Sequence, residues 1–358
     1  MYVNRFEIKN FRNIEHVKFQ ADRGINIIYG ENAQGKTNII EAIWLFTGAK
    51  SFRGAKDSQM IRIGETAAEL KLSFFSENRE QAASIKIENK RTAWLNEIEL
   101  SAANALAGTV QAIVFSPQDL ALVNDGPSAR RKMLNLGIGL IYPSYIEKIK
   151  QYNHTLQQRN ALLKTIKYNE SMYSCLQDYD AALCKQGAEI IKIRKQYVER
   201  LRQELPLIYN GLADEKEKLD IAYQTTADEN PEAYALKLKK QENEDLKNLT
   251  TSVGPHRDEL LITTDGRESR IYASQGQRRS AALTIKLAQA ALIKNLTKEQ
   301  PIALLDDVLS ELDEKRQNYI LNHIKNWQVF ITCCDPSHIQ RLTKGKIFKI
   351  ENGRLAEE

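Results

Sequence analysis

One segment of the sequence, Gly30-Glu31-Asn32-Ala33-Gln34-Gly35-Lys36-Thr37, has the residue types and spacing needed to bind a chain of phosphates. It matches the complete P-loop pattern, in which glycines let the backbone curl so that successive N–H groups face an anion. In this pattern the Lys36 ammonium neutralises charge on the β- and γ-phosphates, and the Thr37 hydroxyl ligates Mg²⁺. The segment therefore predicts a site for a nucleoside triphosphate and its magnesium ion, with ATP as the expected nucleotide.

A pair of acids, Asp306-Asp307, follows directly after the apolar run Ile302-Ala303-Leu304-Leu305. A buried strand that delivers a carboxylate at its C-terminal end is what P-loop folds use to hold magnesium. We predict Asp306 as the metal ligand and Asp307 as the base or water-orienting group. Apolar strands that end in acids are common, and it is the complete P-loop upstream that favours this interpretation.

The segment Ser274-Gln275-Gly276-Gln277-Arg278-Arg279-Ser280 resembles the ABC signature, in which a helix start binds the γ-phosphate held by another subunit. The same residues are also typical of a plainly capped helix. The motif order favours the signature, because P-loop, signature and Asp-Asp are followed by Ser310-Glu311-Leu312-Asp313, which resembles a D-loop. We expect a nucleotide site shared by two copies of the chain, with contributions from Ser274, Gly276 and Gln277.

The elements that must position these residues follow from hydrophobic patterning. The buried strand Ile25–Tyr29 precedes the P-loop, and residues 37–46 follow it at helical spacing. Heptad-like seams run over 144–166, interrupted by Arg159, and over 176–208, broken at Gln186. They predict either a short antiparallel hairpin or two ordinary helices. We predict an α/β fold with mixed sheets: an ATPase lobe at 1–118 and 250–358, and a helical lobe with the hairpin at 119–249.

Composition restricts the class of protein only loosely. The chain has 358 residues and a net charge of +5, which suits a polyanion but also many proteins that bind no nucleic acid. No targeting segment and no apolar stretch of about 18 residues is present, so we expect a cytoplasmic protein without a membrane partner. The cysteines have no Cys-x-x-Cys spacing, so a zinc or redox site is not predicted.

Taken together, the motifs resemble the RecF family, which is related to SMC and Rad50 proteins, over nearly the whole chain. The resemblance also rests on residues 10–13, 51–53 and 115–120 and on Gly254-Pro255-His256-Arg257-Asp258. It implies an ATP-dependent DNA binder that dimerises on ATP, hydrolyses it slowly, and works with RecR and RecO to load RecA at gaps. Roles in replication and the SOS response are implied as well. The family pattern further points to Arg12, Asn13 and Asn38 as nucleotide contacts and to Gln118 as a Q-loop residue.

The sequence departs from the usual ABC pattern in two places. Asp307 stands where most ABC proteins have Glu, and the shorter side chain predicts slow turnover. No histidine follows the strand after the D-loop, so the γ-phosphate switch stays unassigned, with His338 nearby. Arg130-Arg131-Lys132 and Arg278-Arg279 are candidate contacts to DNA phosphates, although solvated charge is the ordinary interpretation of such clusters.

Other classes of P-loop protein fit the sequence less well. A transporter subunit usually has a more compact insert before the signature, and a small GTPase needs an Asn-Lys-x-Asp motif. An SMC- or Rad50-like protein that tethers DNA is the main alternative, but it needs a far longer coiled coil than these seams provide.

Overall fold

The computed structural model describes residues 1–213, 217–337, 339 and 344–356. The strands in chain order are β1 (Tyr2–Phe11), β2 (Ile14–Gln20), β3 (Ile25–Tyr29), β4 (Ala68–Ser76), β5 (Arg79–Ile87), β6 (Arg91–Leu95), β7 (Ile98–Glu99), β8 (Ala112–Phe115), β9 (Leu219–Gln224), β10 (Glu259–Thr264), β11 (Arg267–Glu268), β12 (Ile302–Asp306), β13 (Val329–Cys333), β14 (Lys346–Glu351) and β15 (Arg354–Leu355). The α-helices are α1 (Lys36–Leu45), α2 (Ala121–Asn124), α3 (Pro127–Ile141), α4 (Ser144–Ile166), α5 (Leu176–Leu212), α6 (Pro231–Lys240), α7 (Glu242–Asn248), α8 (Ser269–Tyr272), α9 (Gln275–Thr297) and α10 (Glu314–His323). Short 3-10 helices cover Asp57–Met60, Ala103–Leu106, Pro117–Leu120, Glu170–Cys175 and Leu309–Glu311.

The chain forms two compact units, one comprising Met1–Asp119 with Lys286–Glu358 and the other comprising Leu120–Ile285. The sequence predicts a return to the ATPase lobe at residue 250, but the structure places residues 250–285 in the second unit. The physical reason is strand pairing, because β10 hydrogen-bonds in antiparallel register to β9, which lies before residue 250. The strand β10, which follows residue 250, therefore belongs to a small sheet of the helical unit, in the order β11-β10-β9.

The first unit contains two sheets. An antiparallel sheet has the order β2-β1-β4-β5-β6-β7, and a second sheet has the order β15-β14-β3-β13-β12-β8. In the second sheet β8, β12, β13, β3 and β14 run parallel, so that the C-terminal ends of β3, β12 and β13 meet at one edge. That edge is where a parallel α/β sheet binds its ligand.

Helix α1 packs against β1 of the antiparallel sheet and against β12 and β13 of the parallel sheet. Contact with both sheets explains its composition, because a helix enclosed on two sides needs apolar residues around most of its surface. Ile39, Ile40, Ile43 and Leu45 are completely buried. The helix that follows the P-loop is thereby fixed in the core of the first unit.

The second unit is built around an antiparallel pair of helices, α4 and α5. Side-chain contacts from Tyr145 to Arg194 and from Arg159 to Asp180 show the antiparallel register. At about 1.5 Å per residue the two helices are roughly 35 and 55 Å long. Seam residues on both helices are buried, including Tyr152, Leu163, Leu183, Ile190, Leu201 and Leu205.

Arg159, which interrupts the first seam, is completely buried between the helices. Its Nε donates to Asp180 Oδ1 at 2.6 Å, and its Nη1 donates to Asp245 Oδ2 and Thr251 Oγ1, both at 2.8 Å. A buried charge is tolerated when it is paired and hydrogen-bonded, as here. The interruption is therefore an ion pair inside the unit and not a weak point of the seam.

The Gly254–Asp258 segment lies in a second buried polar network. A Cβ at Gly254, where φ is +136°, would lie 2.1 Å from the Tyr234 hydroxyl oxygen, so only glycine fits. The Tyr152 hydroxyl donates to His256 Nδ1 at 2.7 Å, and His256 Nε2 donates to the Thr251 carbonyl at 2.9 Å. Burial lowers the pKa of His256 to about 4, with the nearby arginine charges acting in the same direction. The imidazole is consequently neutral at pH 7, as its hydrogen bonds require.

We expect His256 to make the second unit sensitive to acid. The unfolded chain takes up a proton on His256 near pH 6.5, whereas the folded chain takes it up only near pH 4, so stability is lost as the pH falls between these values. Urea unfolding followed by near-UV circular dichroism from pH 7.5 to pH 4.5 measures this loss. The His256→Gln variant should show a smaller loss over the same range. Equal pH slopes in both proteins would disprove the assignment.

None of the described helices combines the length and apolar character that crossing a lipid bilayer demands.

Candidate nucleotide site

The P-loop joins β3 to α1 and curls around the Lys36 side chain. Gly35 caps the helix with φ +110°, and a Cβ there would lie 2.8 Å from Asn13 Oδ1. Lys36 Nζ donates to the carbonyl oxygens of Gly30 at 2.6 Å and Glu31 at 2.8 Å, and Lys36 is only 8% exposed. The loop backbone thus holds the ammonium group at the start of α1, where phosphate oxygens are bound in P-loop folds.

Residues from both ends of the chain brace the loop. Asn13 Nδ2, in the turn between β1 and β2, donates to the Ala33 carbonyl at 2.8 Å. Asn38 Nδ2 in turn donates to Asn13 Oδ1 at 2.7 Å. From the β14–β15 turn, the Gly353 N–H donates to the Gln34 carbonyl at 3.1 Å. The structure therefore shows Asn13 and Asn38, both predicted as nucleotide contacts, shaping the loop itself.

Arg12 forms an ion pair with Glu41, a residue that the sequence analysis did not predict as part of the site. Its Nε and Nη2 donate to the two oxygens of Glu41 at 3.0 and 2.9 Å, and its Nη1 donates to the Gln59 carbonyl at 3.1 Å. Glu41 is completely buried on α1 and also accepts a hydrogen bond from the Ser51 hydroxyl. Arg53 Nη1 lies 3.7 Å from Glu41 Oε2 and donates to Asn38 Oδ1 at 2.9 Å.

Glu41 therefore fixes two guanidinium groups beside the loop. A sequence signal was present, because Glu41 is an acid within the otherwise apolar stretch Ile39–Leu45 that follows the P-loop. A charge at a helix position enclosed by two sheets requires cationic partners.

The predicted metal ligands Thr37 and Asp306 are in direct contact. Thr37 Oγ1 donates to Asp306 Oδ1 at 2.7 Å, and Thr332 Oγ1 donates to the same oxygen at 2.9 Å. Burial raises the pKa of Asp306, while the two hydroxyl bonds and the charge of Arg53 act in the opposite direction. The pair lies at the edge of the parallel sheet where β12 ends and α1 begins.

This arrangement fits a magnesium ion that arrives with a nucleotide. Mg²⁺ prefers oxygen ligands and usually takes one or two from protein, completing its shell with water and substrate phosphates. Thr37 and Asp306 offer two such oxygens side by side. Within the described part of the chain, no group of three or more His, Cys, Asp or Glu side chains could hold a metal by itself.

Asp307 follows the predicted metal ligand Asp306 in an unusual backbone conformation, with φ +51°. Its N–H donates to Thr332 Oγ1 at 3.0 Å, and the Ser310 hydroxyl lies within hydrogen-bond distance of its carbonyl oxygen at 2.7 Å and its Oδ1 at 3.0 Å. The D-loop-like segment thereby orients the candidate base.

The segment directly after β13, where the sequence has no histidine, places Cys334 beside the P-loop. Its Sγ lies 3.7 Å from Lys36 Nζ and 3.2 Å from Asn32 Oδ1. His338 lies outside the described residues.

Ser274, Gly276 and Gln277 belong to the second unit, at the start of α9. Ser274 N–H donates to Gln277 Oε1 at 2.8 Å, and Gln277 N–H donates to Ser274 Oγ at 3.2 Å, which is a reciprocal capping box. Both interpretations of this segment are thus compatible with the structure, since a capped and exposed helix start can also face an anion. Gln118, in the first unit, is exposed on the 3-10 helix Pro117–Leu120.

Comparison with known proteins identifies the family. A family model of the RecF/RecN/SMC N-terminal domain matches residues 2–354. The DNA replication and repair protein RecF of Agathobacter rectalis is 37% identical, with 99% of each chain covered. That of Thermoanaerobacter pseudethanolicus is 38% identical, with 100% of each chain covered. The chain belongs to the RecF family. The resemblance predicted from the motifs is confirmed.

Solved structures agree with this assignment. A structure of the recombination mediator protein RecF-ATPrS in the RecFOR pathway superposes with a TM-score of 0.92 and 36% identity, covering 99% of this chain and 97% of that one. A RecF-ATP structure gives the same TM-score at 35% identity, covering 100% and 97%. An Smc head domain from Pyrococcus furiosus has a TM-score of 0.57 at 18% identity, over 99% and 95%, and shows a shared fold only. The predicted ABC-ATPase head fold with mixed sheets and a helical region is confirmed.

The structure of this RecF-family chain shows which residues of the basic clusters, proposed as DNA contacts, are already bonded to other groups of the protein. Arg130 is 5% exposed, and its Nε and Nη2 donate to both Glu259 oxygens at 2.6 and 2.7 Å. Its Nη1 donates to the Leu122 and Asp125 carbonyls. The structure disfavours Arg130 as a DNA contact, because the side chain is buried and four of its five N–H groups already have acceptors within the unit. Arg278 is also engaged, through the Ala273 carbonyl at 2.9 Å and Asn124 Oδ1 at 3.2 Å.

Proposed function

We propose that this RecF-family protein is an ATP-dependent DNA-binding recombination mediator that works in the cytoplasm. It dimerises on ATP, hydrolyses it slowly, and acts with RecR and RecO to load RecA at gaps, in repair, replication and the SOS response. The observation that carries the proposal is the P-loop around Lys36 beside the Thr37–Asp306 pair. The similarity of the chain to RecF structures named for ATP and for the RecFOR pathway supports ATP as the nucleotide and RecFOR as the pathway.

Each residue has a definite part in the proposed site. The backbone of Gly30–Gly35 and the Lys36 ammonium bind the phosphates, and Arg12, Asn13 and Asn38 hold the loop and border the nucleotide. Thr37 and Asp306 would hold Mg²⁺, which supplies charge neutralisation on the phosphates when bound. Asp307 and Gln118 orient the attacking water.

Slow hydrolysis follows from Asp307. Its carboxylate is about one bond shorter in reach than that of a glutamate, and Ser310 lies within hydrogen-bond distance of one of its oxygens. A general base must lie within hydrogen-bond reach of the proton it removes, so a retracted carboxylate reduces the rate of the chemical step. We expect the ATP-bound state to persist.

Ser274, Gly276 and Gln277 complete the site of a second copy in this proposal. They lie at an exposed helix start, where N–H groups and the helix dipole favour an anion. We expect a side chain of arginine size at Ser274 to block the approach of the partner's phosphates.

Sedimentation of the protein with ATP and gapped DNA tests the shared site. We expect Ser274→Arg to retain ATP binding and to lose ATP-dependent dimerisation. Lys36→Met should lose both. Ser171→Arg, an exposed serine on the 3-10 helix between α4 and α5, is the matched control and should dimerise normally. A normal ATP-dependent dimer from Ser274→Arg would refute the two-copy mechanism.

A further inference from the structure

Two arginines of the second unit, Arg131 on α3 and Arg257 in the Gly254–Asp258 segment, have no carboxylate of their own. Arg131 Nη1 donates to the Asp258 carbonyl at 2.9 Å, directly next to Arg257 along the chain. Arg257 Nε and Nη2 donate to the Thr251 carbonyl at 3.3 and 3.2 Å. Over the described ranges no ion pair joins either guanidinium to an acid; the neighbouring acids pair with other arginines.

The charges around this segment do not balance. Four guanidinium groups, those of Arg130, Arg131, Arg194 and Arg257, surround the acids Asp258 and Glu259. Glu259 binds Arg130 with both oxygens, and Asp258 Oδ2 binds Arg194 at 2.9 Å and the Tyr223 hydroxyl. The neighbouring His256 is neutral at pH 7. Two positive charges are therefore left over, and they are those of Arg131 and Arg257.

The two uncompensated charges also repel each other. Burial lowers the pKa of Arg131, and the charges of Arg194 and Arg257 lower it further against the opposing effect of Glu259 and Asp258. Arg257 is exposed and Arg131 half-buried, so an external anion can reach both. Two like charges held close together bind a shared anion more favourably than a single charge does, because the anion also relieves their mutual repulsion.

We propose that Arg131 and Arg257 form a phosphate-contact pair for the backbone of bound DNA. The proposal rests on the DNA-binding function proposed above and locates one contact surface for it. Guanidinium groups match phosphate oxygens in geometry, and each of these two has N–H groups beyond those that bind the Asp258 and Thr251 carbonyls. The neutral His256 and the buried Asp258 act as the scaffold that fixes the backbone of Arg257. Because a backbone phosphate carries no sequence information, the pair contributes affinity and not sequence preference.

Fluorescence anisotropy with labelled duplexes of two unrelated sequences tests the pair in the full-length protein with ATP. Each of Arg131→Gln and Arg257→Gln should weaken binding roughly tenfold, equally for both sequences. The slope of log affinity against log salt should fall by about one per substitution, and by about two in the double variant. Arg257→Lys, which keeps the charge, should restore the slope.

Arg79→Gln is the matched control, because Arg79 is an exposed arginine of the first unit that is ion-paired with Glu77. Its salt slope should equal that of the wild type. Melting curves and ATP affinity establish that each variant is folded. If Arg131→Gln unfolds, Arg257→Gln alone decides, since Arg257 is an exposed residue. An unchanged slope in folded Arg257→Gln would overturn the proposal while leaving DNA binding intact. A wild-type protein that binds neither duplex would overturn the proposed function and this inference together.

Discussion

Replacing Lys36 with methionine should lower ATP affinity by about two to four orders of magnitude, the largest effect we expect from a single substitution. Lys36 is the one side chain of the P-loop that brings a full positive charge to the phosphates, and its ammonium is held in place by the Gly30 and Glu31 carbonyls. We expect the ammonium group to make two charge-assisted hydrogen bonds to the phosphates of ATP. Losing both, at about 1.5–3 kcal/mol each, gives this range of affinity. The methionine retains most of the apolar stem, so the loop should keep its packing.

Titration calorimetry with ATP and Mg²⁺ measures this loss. Lys90→Met, which removes an exposed lysine from the turn between β5 and β6, is the matched control and should bind ATP as the wild type does. The melting temperature of Lys36→Met should stay within a few degrees of the wild type in the absence of nucleotide. If folded Lys36→Met bound ATP within tenfold of the wild type, the P-loop assignment would be wrong.

Arg159→Met should destabilise the second unit by about 3–5 kcal/mol, because it leaves the completely buried Asp245 carboxylate without its cation. Methionine fills a similar volume, so a cavity contributes little to the loss. Asp180 is partly exposed and can turn toward water, which makes Asp245 the source of most of the penalty. ATP binding in the first unit should be unaffected.

Urea unfolding followed by circular dichroism measures this stability. Lys164→Met, an exposed lysine on the same helix, is the control and should change the free energy of unfolding by less than about 0.5 kcal/mol. Adding Asp245→Asn to Arg159→Met should recover part of the loss, since the uncompensated charge is then gone. A loss below about 1 kcal/mol for Arg159→Met would show that the ion pair contributes little.

The parts of the candidate nucleotide site that are local in sequence could be predicted from it. The P-loop pattern determines its own backbone shape. An apolar strand that ends in an acid such as Asp306, after a complete P-loop, is typical of a magnesium-binding strand. Their meeting in space followed from one rule, that parallel strands bring their C-terminal ends to a common edge. The contact between Thr37 and Asp306 is the direct result.

The contacts that depend on tertiary partners could not be predicted in the same way. Arg130 and Arg131 are adjacent and chemically identical, yet Arg130 is neutralised by Glu259 and Arg131 is not. The acid that neutralises Arg130 lies more than a hundred positions away in the chain, so the residues around the pair do not reveal it. The assignment of 250–285 to the second unit depended likewise on which strand β10 pairs with.

The parallel sheet has a consequence for how the site is made in the cell. Strand β3, which carries the P-loop, is flanked by β13 and β14, and the loop is braced by Gly353. A ribosome that has completed the first three hundred residues has therefore produced the phosphate-binding motif but neither neighbour of its strand. Because domains generally fold as units during synthesis, we expect nucleotide binding to await the last few dozen residues. We expect a truncated product to carry the whole motif and still to bind ATP poorly.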